Sequence, residues 1–322
     1  MRRSNHLLTT GDRYVHAVVF VKGLIYNKYI SSKGWDKMKL IDLHVHSTMS
    51  DGTYTPEEVI KLAKQQGLAA VTLTDHDTID GLAEAAAAAA KTNVEFINGM
   101  EVSVDYKNRK LHVVALGFDA DSPAFKKIYK KIRSNKEKDM DKIIAKIKDK
   151  GIDISVEKVS PFINGTKLEN YGIMRYLVSV HAADRIQKIW DTYINPAVEE
   201  LGLNKNVEIA ELARGIHQAG GVLSLAHFHK NIGLKGLTRI EQEKAIAQLH
   251  SEGLDGMEKY YTNYTEEDRM FAAAMIDKYK LLPTGGSDFH GQNRIGVDLG
   301  TGCNNNLKIP YEFYENILNH SK

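Results

Sequence analysis

Leu40-Ile41-Asp42-Leu43-His44-Val45-His46 is the stretch of sequence that decides the fold. It is mostly apolar, and its spacing predicts a buried β-strand that ends in two histidines. Side chains two positions apart in a strand point to the same face of the sheet, so both imidazoles could bind one metal ion. The pair alone is weak evidence, because two histidines at this spacing also occur by chance.

The residues that follow this strand alternate between helical and strand patterns. Thr55-Pro56-Glu57-Glu58 predicts a helix start, since Thr55 can cap, Pro56 suits the first helical position and Glu58 completes a capping box. Gly67 is expected to end that helix. We predict further strands over 69–74, 94–104, 111–118, 221–227, 256–261 and 281–285, with helices over 79–91, 209–219, 238–252, 266–280 and after Pro310. This alternation indicates an α/β protein with a parallel or mixed sheet covered by helices.

Residues 121–206 have a different pattern. A long, Lys-rich amphipathic helix is predicted over 125–150, and the residues after Gly151 show more helical pattern without good strands. We therefore predict a helical insertion at 121–206 that forms a substrate lid. It interrupts a barrel domain made of 38–120 and 207–322.

The first 37 residues are basic and differ from the rest. A targeting signal is disfavoured, because no small-residue cleavage site follows a proper apolar core. We interpret 1–37 as an N-terminal extension, the product of an overcalled start, and expect the functional domain to open at Met38.

Composition excludes several function classes. With 322 residues, 43% of them hydrophobic and 26% charged, the chain can bury a core, so disorder is excluded. A net charge of +2 provides no broad basic surface for long nucleic acid. The longest apolar runs fall far below the roughly 20 residues that a membrane span needs. A single cysteine, Cys303, favours a cytoplasmic location and leaves metal binding to histidines and carboxylates.

Histidines and carboxylates recur where the predicted strands end. In an α/β barrel these ends converge on one face, so the side chains could share one pocket. The candidate ligands are His44, His46, Asp51, His76, Glu101, His112, His227, Asp288 and His290. Chance would have to place this chemistry at six separate strand ends, so we predict a metal site for more than one ion. Asp75 and Asp77 are expected to orient ligands, with helix capping as the alternative for Asp77.

These motifs, in this order, resemble the PHP (polymerase and histidinol phosphatase) superfamily over about residues 38–302. The segments that carry the resemblance are Asp42-Leu43-His44-Val45-His46-Ser47 with Asp51-Gly52, Thr74-Asp75-His76-Asp77, Gly99-Met100-Glu101-Val102-Ser103, Ala226-His227 and Gly286-Ser287-Asp288-Phe289-His290-Gly291. Within that superfamily the chain is most similar to stand-alone phosphoesterases with a helical insertion. The resemblance implies a distorted (β/α)7 barrel with a trinuclear metal site.

The resemblance also implies how the ligands divide. His44, His46, Glu101 and Asp288 would hold a first metal. Glu101 would bridge to a second, completed by His112 and His227, and Asp51, His76 and His290 would hold a third. Glu101, Asp288 and His227 are the expected catalytic groups. The cofactors are expected to be two to three divalent ions, Mn first, with Zn, Fe or Mg as alternatives, which activate a hydroxide.

Substrate contacts are expected from three basic side chains outside this set. Relatives often carry an Arg-Pro-His stretch at the end of the insertion, where this chain has Arg175 without the His. Arg175 could clamp a phosphate, with a surface arginine as the alternative. His229 and Lys230 could contact substrate or belong to a solvated loop. His181, His217 and His250, on predicted helices without carboxylate companions, are interpreted as structural.

The function predicted on these grounds is hydrolysis of a phosphate ester of a small nucleotide, a 3′,5′-bisphosphate or AMP-like compound, or of a short RNA 5′ end. A histidinol-phosphate phosphatase and a generic phosphomonoesterase are the alternatives among enzymes. A metal-binding PHP module without catalysis is the alternative outside them. The expected partner is a small phosphorylated substrate, with no long nucleic acid, no membrane and no obligate protein partner.

Overall fold

The structure is a computed structural model that describes residues 14–21, 24–31, 39–137, 139–164, 170–203 and 205–320. The chain divides into two compact units, residues 1–39 and 40–322. In the first unit, β1 (Tyr14–Val21) and β2 (Leu24–Ser31) form an antiparallel pair. Most of the predicted N-terminal extension lies outside the described residues.

The second unit is built on one eight-stranded sheet. Its strands are β3 (Ile41–Asp42), β4 (Ala70–Leu73), β5 (Glu95–Tyr106), β6 (Arg109–Leu116), β7 (Val207–Glu208), β8 (Val222–Leu225), β9 (Gly256–Tyr261) and β10 (Leu282–Gly286). They lie in the order β10-β9-β8-β6-β5-β4-β3, with β7 beside β5. All pairings are parallel except the two that β6 makes with β5 and β8.

The two ends of this sheet meet, so that it nearly closes into a barrel. Leu43 N donates to Gly285 O at 3.2 Å, and His46 N donates to Phe289 O at 2.9 Å. The predicted distorted barrel is confirmed. The first predicted strand is shorter than expected and ends at Asp42. Beyond Leu43 the backbone bonds partly to side chains, as when Val45 N donates to Thr74 Oγ1 at 3.0 Å.

Helices cover this sheet and make up most of residues 121–206. They are α1 (Pro56–Gln66), α2 (Leu82–Ala89), α3 (Pro123–Glu137), α4 (Met140–Asp149), α5 (Val156–Val159), α6 (Asn170–Ser179), α7 (Ile186–Ile189), α8 (Asn195–Glu200), α9 (Ile209–Gln218), α10 (Arg239–Ser251), α11 (Glu266–Tyr279) and α12 (Glu312–His320). α1 has the predicted capping box of Thr55 and Glu58, and Gly67 ends it with φ 71°. None of these helices is long and apolar enough to cross a membrane, as far as the described residues extend.

The single helix predicted over 125–150 is wrong, because the structure has two helices there. Asp139 precedes α4 with φ 59°, a left-handed conformation that no helix interior adopts. The two helices serve different cores. Phe125 and Ile132 of α3 pack into the barrel core, whereas Ile143 and Ile147 of α4 pack into a separate core within the insertion. The break therefore redirects the chain from one core to the other.

Candidate metal centre

The nine predicted ligands lie together at the rim where the strands end. His44 and His46 follow β3, His76 follows β4, and His227 follows β8. Asp288 and His290 follow β10, Asp51 lies in the loop before α1, and Glu101 and His112 face each other from β5 and β6. Most of these side chains are fully buried, which is costly for polar groups unless they are paired or bind metal.

Glu101 is the centre of this cluster. One carboxylate oxygen, Oε1, lies 2.8 Å from His227 Nε2 and 3.0 Å from His112 Nδ1. The other, Oε2, lies 3.0 Å from His76 Nδ1 and 3.3 Å from both His44 Nε2 and His46 Nε2. The two oxygens therefore face two different groups of imidazoles, which is the arrangement that a bridging carboxylate needs.

Asp288 and Asp51 each lie beside a different group of imidazoles. Asp288 Oδ1 lies 3.3 Å from His46 Nε2 and 3.5 Å from His44 Nε2. Asp51 Oδ1 lies 3.3 Å from His290 Nε2. Three sets of ligand atoms lie close enough for a single ion each among the described residues: His44, His46, Glu101 and Asp288; His46, Asp51, His76 and His290; and His76, Glu101 and His112.

The chemistry of these atoms fits divalent metal ions. His44 Nε2, His46 Nε2, Asp51 Oδ1 and Glu101 Oε2 are buried and have no hydrogen-bond partner among the described residues. Unpaired buried polar atoms are rare, and here they point at one another. A mixture of imidazole and carboxylate suits Mn, Zn or Fe. These residues would hold the ions that the sequence predicts.

Two ligands are oriented by hydrogen bonds at their second ring nitrogen. His44 Nδ1 donates to Glu258 Oε1 at 2.7 Å, which leaves the Nε2 lone pair for a metal. His290 Nδ1 donates to the backbone carbonyl of Asp288 at 2.8 Å, which has the same effect. Glu258 is buried on β9, and its Oε2 also accepts from the backbone N of His227. The sequence analysis missed it; the only signal was a single carboxylate inside a predicted strand.

Buried aspartates hold the loops that carry the ligands. Asp42 accepts from the N and Oγ of Ser287, next to Asp288. Asp75 accepts from Ser47 N at 2.8 Å, in the loop that carries Asp51. Asp77 accepts from Ser103 N at 3.0 Å, whereas α2 begins after Gly81, so the capping alternative for Asp77 is wrong.

The backbone around the cluster is tightly constrained. A Cβ at Gly286 would lie 2.1 Å from the Cβ of His44. Only glycine therefore lets β10 approach the backbone at His44 this closely. Asp288 has φ 57°, a conformation that non-glycine residues rarely adopt and that clusters at functional sites.

Burial and neighbouring charges shift the pKa values of the ligands in opposite directions. Burial disfavours protonation of His46, but the carboxylates of Asp288 and Glu101 beside its ring outweigh burial and raise its pKa to about 9. Burial opposes ionisation of Glu101, yet His112, His44 and His76 outweigh it and hold the Glu101 pKa well below its ordinary value. At His76 burial dominates and lowers the pKa to about 3. The metal-free cluster thus pairs anionic carboxylates with protonated and neutral imidazoles.

Two cations lie on the solvent side of Asp288. Lys230 Nζ lies 2.8 Å from Asp288 Oδ2, and Arg294 contacts the same oxygen. Tyr261 is buried, and its hydroxyl donates to this oxygen at 2.6 Å. Lys230 was predicted as a substrate contact. Arg294 was not, because it follows the last motif in a segment without a periodic pattern.

The other two predicted substrate contacts have different surroundings. Arg175 NH1 donates to Ser50 O at 2.6 Å and to Thr48 O at 3.3 Å, so this guanidinium ties α6 to the loop before Asp51. His229 packs against the rings of Tyr261 and Tyr264 at 5.4 Å and 5.0 Å. Neither residue lines the two cavities at the centre. A substrate contact by Arg175 or His229 therefore stays a prediction.

A cavity of about 310 Å³ opens over the cluster. Its wall includes the ligands His76, Glu101 and Asp288 and the cations Lys230 and Arg294. Carboxylate and imidazole ligands on one side and two cations on the other make a site for an anionic group. Lys and Arg side chains in this position suit phosphate oxygens.

Comparison with known proteins decides the family, because the PHP domain family matches residues 42–282 of this chain. The chain belongs to the PHP domain family. The PHP chain is 32% identical over 264 residues to a 3′,5′-nucleoside bisphosphate phosphatase of Chromobacterium violaceum, covering 82% of this chain and 91% of the relative. It is 30% identical over 253 residues to a 5′-3′ exoribonuclease of Haemophilus influenzae, covering 78% of this chain and 90% of that one.

A solved structure from Bifidobacterium adolescentis, assigned as a metal-dependent phosphoesterase, superimposes on this PHP chain with a TM-score of 0.74. The match covers 88% of this chain and 96% of that one at 21% identity, which shows the shared fold. Together with the family match and the ligand cluster, these likenesses show that the PHP chain is an enzyme, a metal-dependent phosphoesterase.

Proposed function

We propose that this phosphoesterase hydrolyses a phosphate ester of a small nucleotide, either a 3′,5′-bisphosphate or AMP-like compound or the 5′ end of a short RNA. The observation that carries this proposal is the cavity whose wall holds seven of the nine candidate ligands together with Lys230 and Arg294. The two relatives described above act on a nucleotide or on RNA, as their names say. We also propose that residues 121–206 close over the bound substrate.

Each part of the cavity has a task in this reaction. Divalent ions at such a centre lower the pKa of water and neutralise charge on phosphoryl oxygens. Glu101, anionic and surrounded by imidazoles, holds two ligand groups at a fixed separation. Lys230 and Arg294 bind the non-bridging phosphate oxygens and orient the ester. His227 has its pKa lowered by burial and by Lys230, so it is neutral, the form in which imidazole binds metal.

The proposed cofactors are two or three divalent ions, with Mn first and Zn, Fe or Mg as alternatives. The ligand assignment of each ion, given above from the resemblance, is part of the proposal. The three sets of closely spaced ligand atoms support it, with two differences. His76 joins Glu101 and His112 in the set where the resemblance implies His227, and His46 joins the set of Asp51, His76 and His290. His227 Nε2 nevertheless lies 2.8 Å from Glu101 Oε1.

A substrate panel with Mn²⁺ tests the proposed function. Adenosine 3′,5′-bisphosphate, AMP, a short 5′-phosphorylated RNA and histidinol phosphate are compared by phosphate or nucleotide release. We expect turnover of at least one nucleotide or RNA substrate to exceed that of histidinol phosphate. Equal turnover of all four would defeat the specificity, and preference for histidinol phosphate would favour the alternative phosphatase.

Two ligand variants control the panel. His44→Ala and Asp288→Ala are each expected to abolish hydrolysis while the far-ultraviolet circular dichroism spectrum stays that of the folded protein. Wild-type turnover by both variants would refute the metal assignment. Absence of activity in the wild type, with metals bound, would support the non-catalytic alternative.

A further inference from the structure

A second cavity of about 240 Å³ lies between the barrel rim and the helical insertion. It shares part of its wall with the cavity over the metal centre, including His76, His112 and Trp190. A molecule whose phosphate lies at the metal centre therefore has this space next to it. Lys230 and Arg294, the two cations of the first cavity, do not line this second cavity.

Aromatic rings form one side of this space. The ring of Tyr171 stacks parallel to the ligand His76, with centroids 5.7 Å apart and planes 7° apart. Trp190 meets Tyr171 edge to face, with centroids 5.4 Å apart. Both aromatic residues belong to the insertion and line the cavity. The aromatic surface thus continues directly from a metal ligand into the second cavity.

The rest of the wall combines apolar side chains and uncharged amides with the charged residues Asp51, Asp77 and Lys110 at the barrel rim. Ile143 of α4 and Val198 of α8 line it, as do the amide side chains of Asn170, Gln187, Asn195 and Asn206. Asn170 Oδ1 is buried and has no hydrogen-bond partner within the part of the chain that the structure describes. An amide offers both donors and acceptors, which match the edges of a nucleobase, whereas an aromatic face offers a stacking surface to any base.

We propose that this cavity is the base-binding subsite of the enzyme, in which Trp190 and Tyr171 form the stacking wall for the nucleobase next to the scissile phosphate. The inference rests on the proposed function, and it sets the substrate class: a nucleotide, in preference to a sugar phosphate that carries no base. The position of the two adjoining cavities and the chemistry of their walls both support this subsite. Trp190 lines both cavities, so base and phosphate of one nucleotide can occupy them simultaneously.

Tryptophan fluorescence tests binding without relying on turnover. The chain has two tryptophans, Trp35 and Trp190, so Trp190 is the sole emitter in a Trp35→Phe variant. We titrate this variant, with Mg²⁺ present, with the phosphonate analogue of AMP, which cannot be hydrolysed, and with the matching phosphonate of ribose. Saturable quenching by the AMP analogue alone is expected. Equal responses to both, or no response to either, would overturn the base subsite.

Steady-state kinetics tests the same residue in the active enzyme. Trp190→Ala is expected to raise KM for AMP about 5- to 150-fold, the range that loss of one base–aromatic stack produces. KM for ribose 5-phosphate should change less than twofold. Trp190→Leu, which keeps apolar volume but loses the aromatic face, should resemble Trp190→Ala, and Trp190→Phe should restore most of the affinity.

Tyr193→Ala is the matched control, because Tyr193 lies in the same helical segment and does not line the cavity. Its KM values should match the wild type. If Trp190→Ala and Trp190→Leu change KM for AMP and ribose 5-phosphate by the same factor, or change neither, the subsite is wrong although the phosphoesterase activity stands. If the wild type hydrolyses no phosphate ester while the AMP analogue still quenches Trp190, the proposed function fails and the base subsite survives.

Discussion

His46 must lose a proton before it can bind a metal ion at neutral pH. Burial works against protonation, but Asp288 and Glu101 raise its pKa to about 9, and only the neutral imidazole is a ligand. We predict that metal binding at pH 7 releases a proton from His46 and that affinity increases as pH rises from 7 to 9. Isothermal titration calorimetry in two buffers of different ionisation enthalpy measures the release.

Two variants control this measurement. His46→Gln should remove its share of the released protons. His76→Gln should leave the release unchanged, because burial lowers the pKa of His76 to about 3 and this ring is already neutral. Binding heats that are independent of the buffer in the wild type would contradict the prediction.

Glu258 is expected to act through His44. Its carboxylate accepts the Nδ1 proton of His44 at 2.7 Å and so directs Nε2 towards Glu101 and Asp288. A neutral amide is a weaker partner for that ring, so Glu258→Gln should weaken metal binding about 10- to 100-fold. The metal content after dialysis and the pH profile of turnover are the measurements.

Glu266 is exposed at the start of α11, so Glu266→Gln is the matched charge control for Glu258→Gln. The Glu266→Gln protein should bind metal like the wild type. Glu258→Asp, which keeps the charge, should recover part of the affinity. A Glu258→Gln protein with wild-type metal content and an unchanged pH profile would show that the carboxylate serves packing alone.

Sequence reasoning could group the nine candidate ligands because most of them lie at or next to a predicted strand end. It could not find Glu258, since one acidic residue within a strand has no pattern and its partner His44 is 214 positions away. Arg175 shows the opposite case. Its charge suggested a phosphate contact, yet the acceptors around it are backbone carbonyls, which no sequence pattern reveals.

At the scale of elements, local signals predicted helix ends and long-range packing decided helix breaks. Thr55, Glu58 and Gly67 mark α1 by short-range hydrogen bonds that are readable from the sequence. The break between α3 and α4 lies at Asp139, and no Gly or Pro at that point signals it in the sequence. It exists because Ile132 and Ile143 pack into different cores, and the sequence shows only one continuous apolar stripe.

The end of α9 is tied to the start of β9 by a titratable pair. His217, in the last turn of α9, lies 2.7 Å from Asp255 Oδ2, a carboxylate companion that the sequence analysis did not expect. This hydrogen bond raises the pKa of His217, so its stabilisation is complete below the unfolded pKa of about 6.5 and is lost as pH rises through the folded pKa.

We predict that His217→Gln lowers the free energy of unfolding by less than about 1 kcal/mol at pH 5.5 and by close to nothing at pH 9, because the ring is partly exposed. Urea unfolding at the two pH values measures this. In an Asp255→Asn background, which also keeps an acceptor for Leu223 N, the pH-dependent difference should vanish. An equal loss of stability at pH 5.5 and pH 9 would contradict the pairing.

At the scale of the whole molecule, the barrel unit concentrates its polar burial at one end. The core clusters are apolar, whereas the strand ends carry buried carboxylates and imidazoles, and four of their ligand atoms have no hydrogen-bond partner among the described residues. Such groups lower stability when they are left unpaired. Any ion that binds them in the folded state and not in the unfolded chain must therefore stabilise the fold.

We predict that Mn²⁺ at 100 times its dissociation constant stabilises the protein by about 2.7 kcal/mol, which raises Tm by about 4 °C. Differential scanning fluorimetry with Mn²⁺, and after removal of metal by a chelator, measures the shift. The His44→Ala/His76→Ala double variant removes ligands from all three groups, so its Tm should respond weakly. An equal rise in that variant would place the stabilising ion elsewhere on the molecule, and no rise in the wild type would contradict metal binding by this cluster.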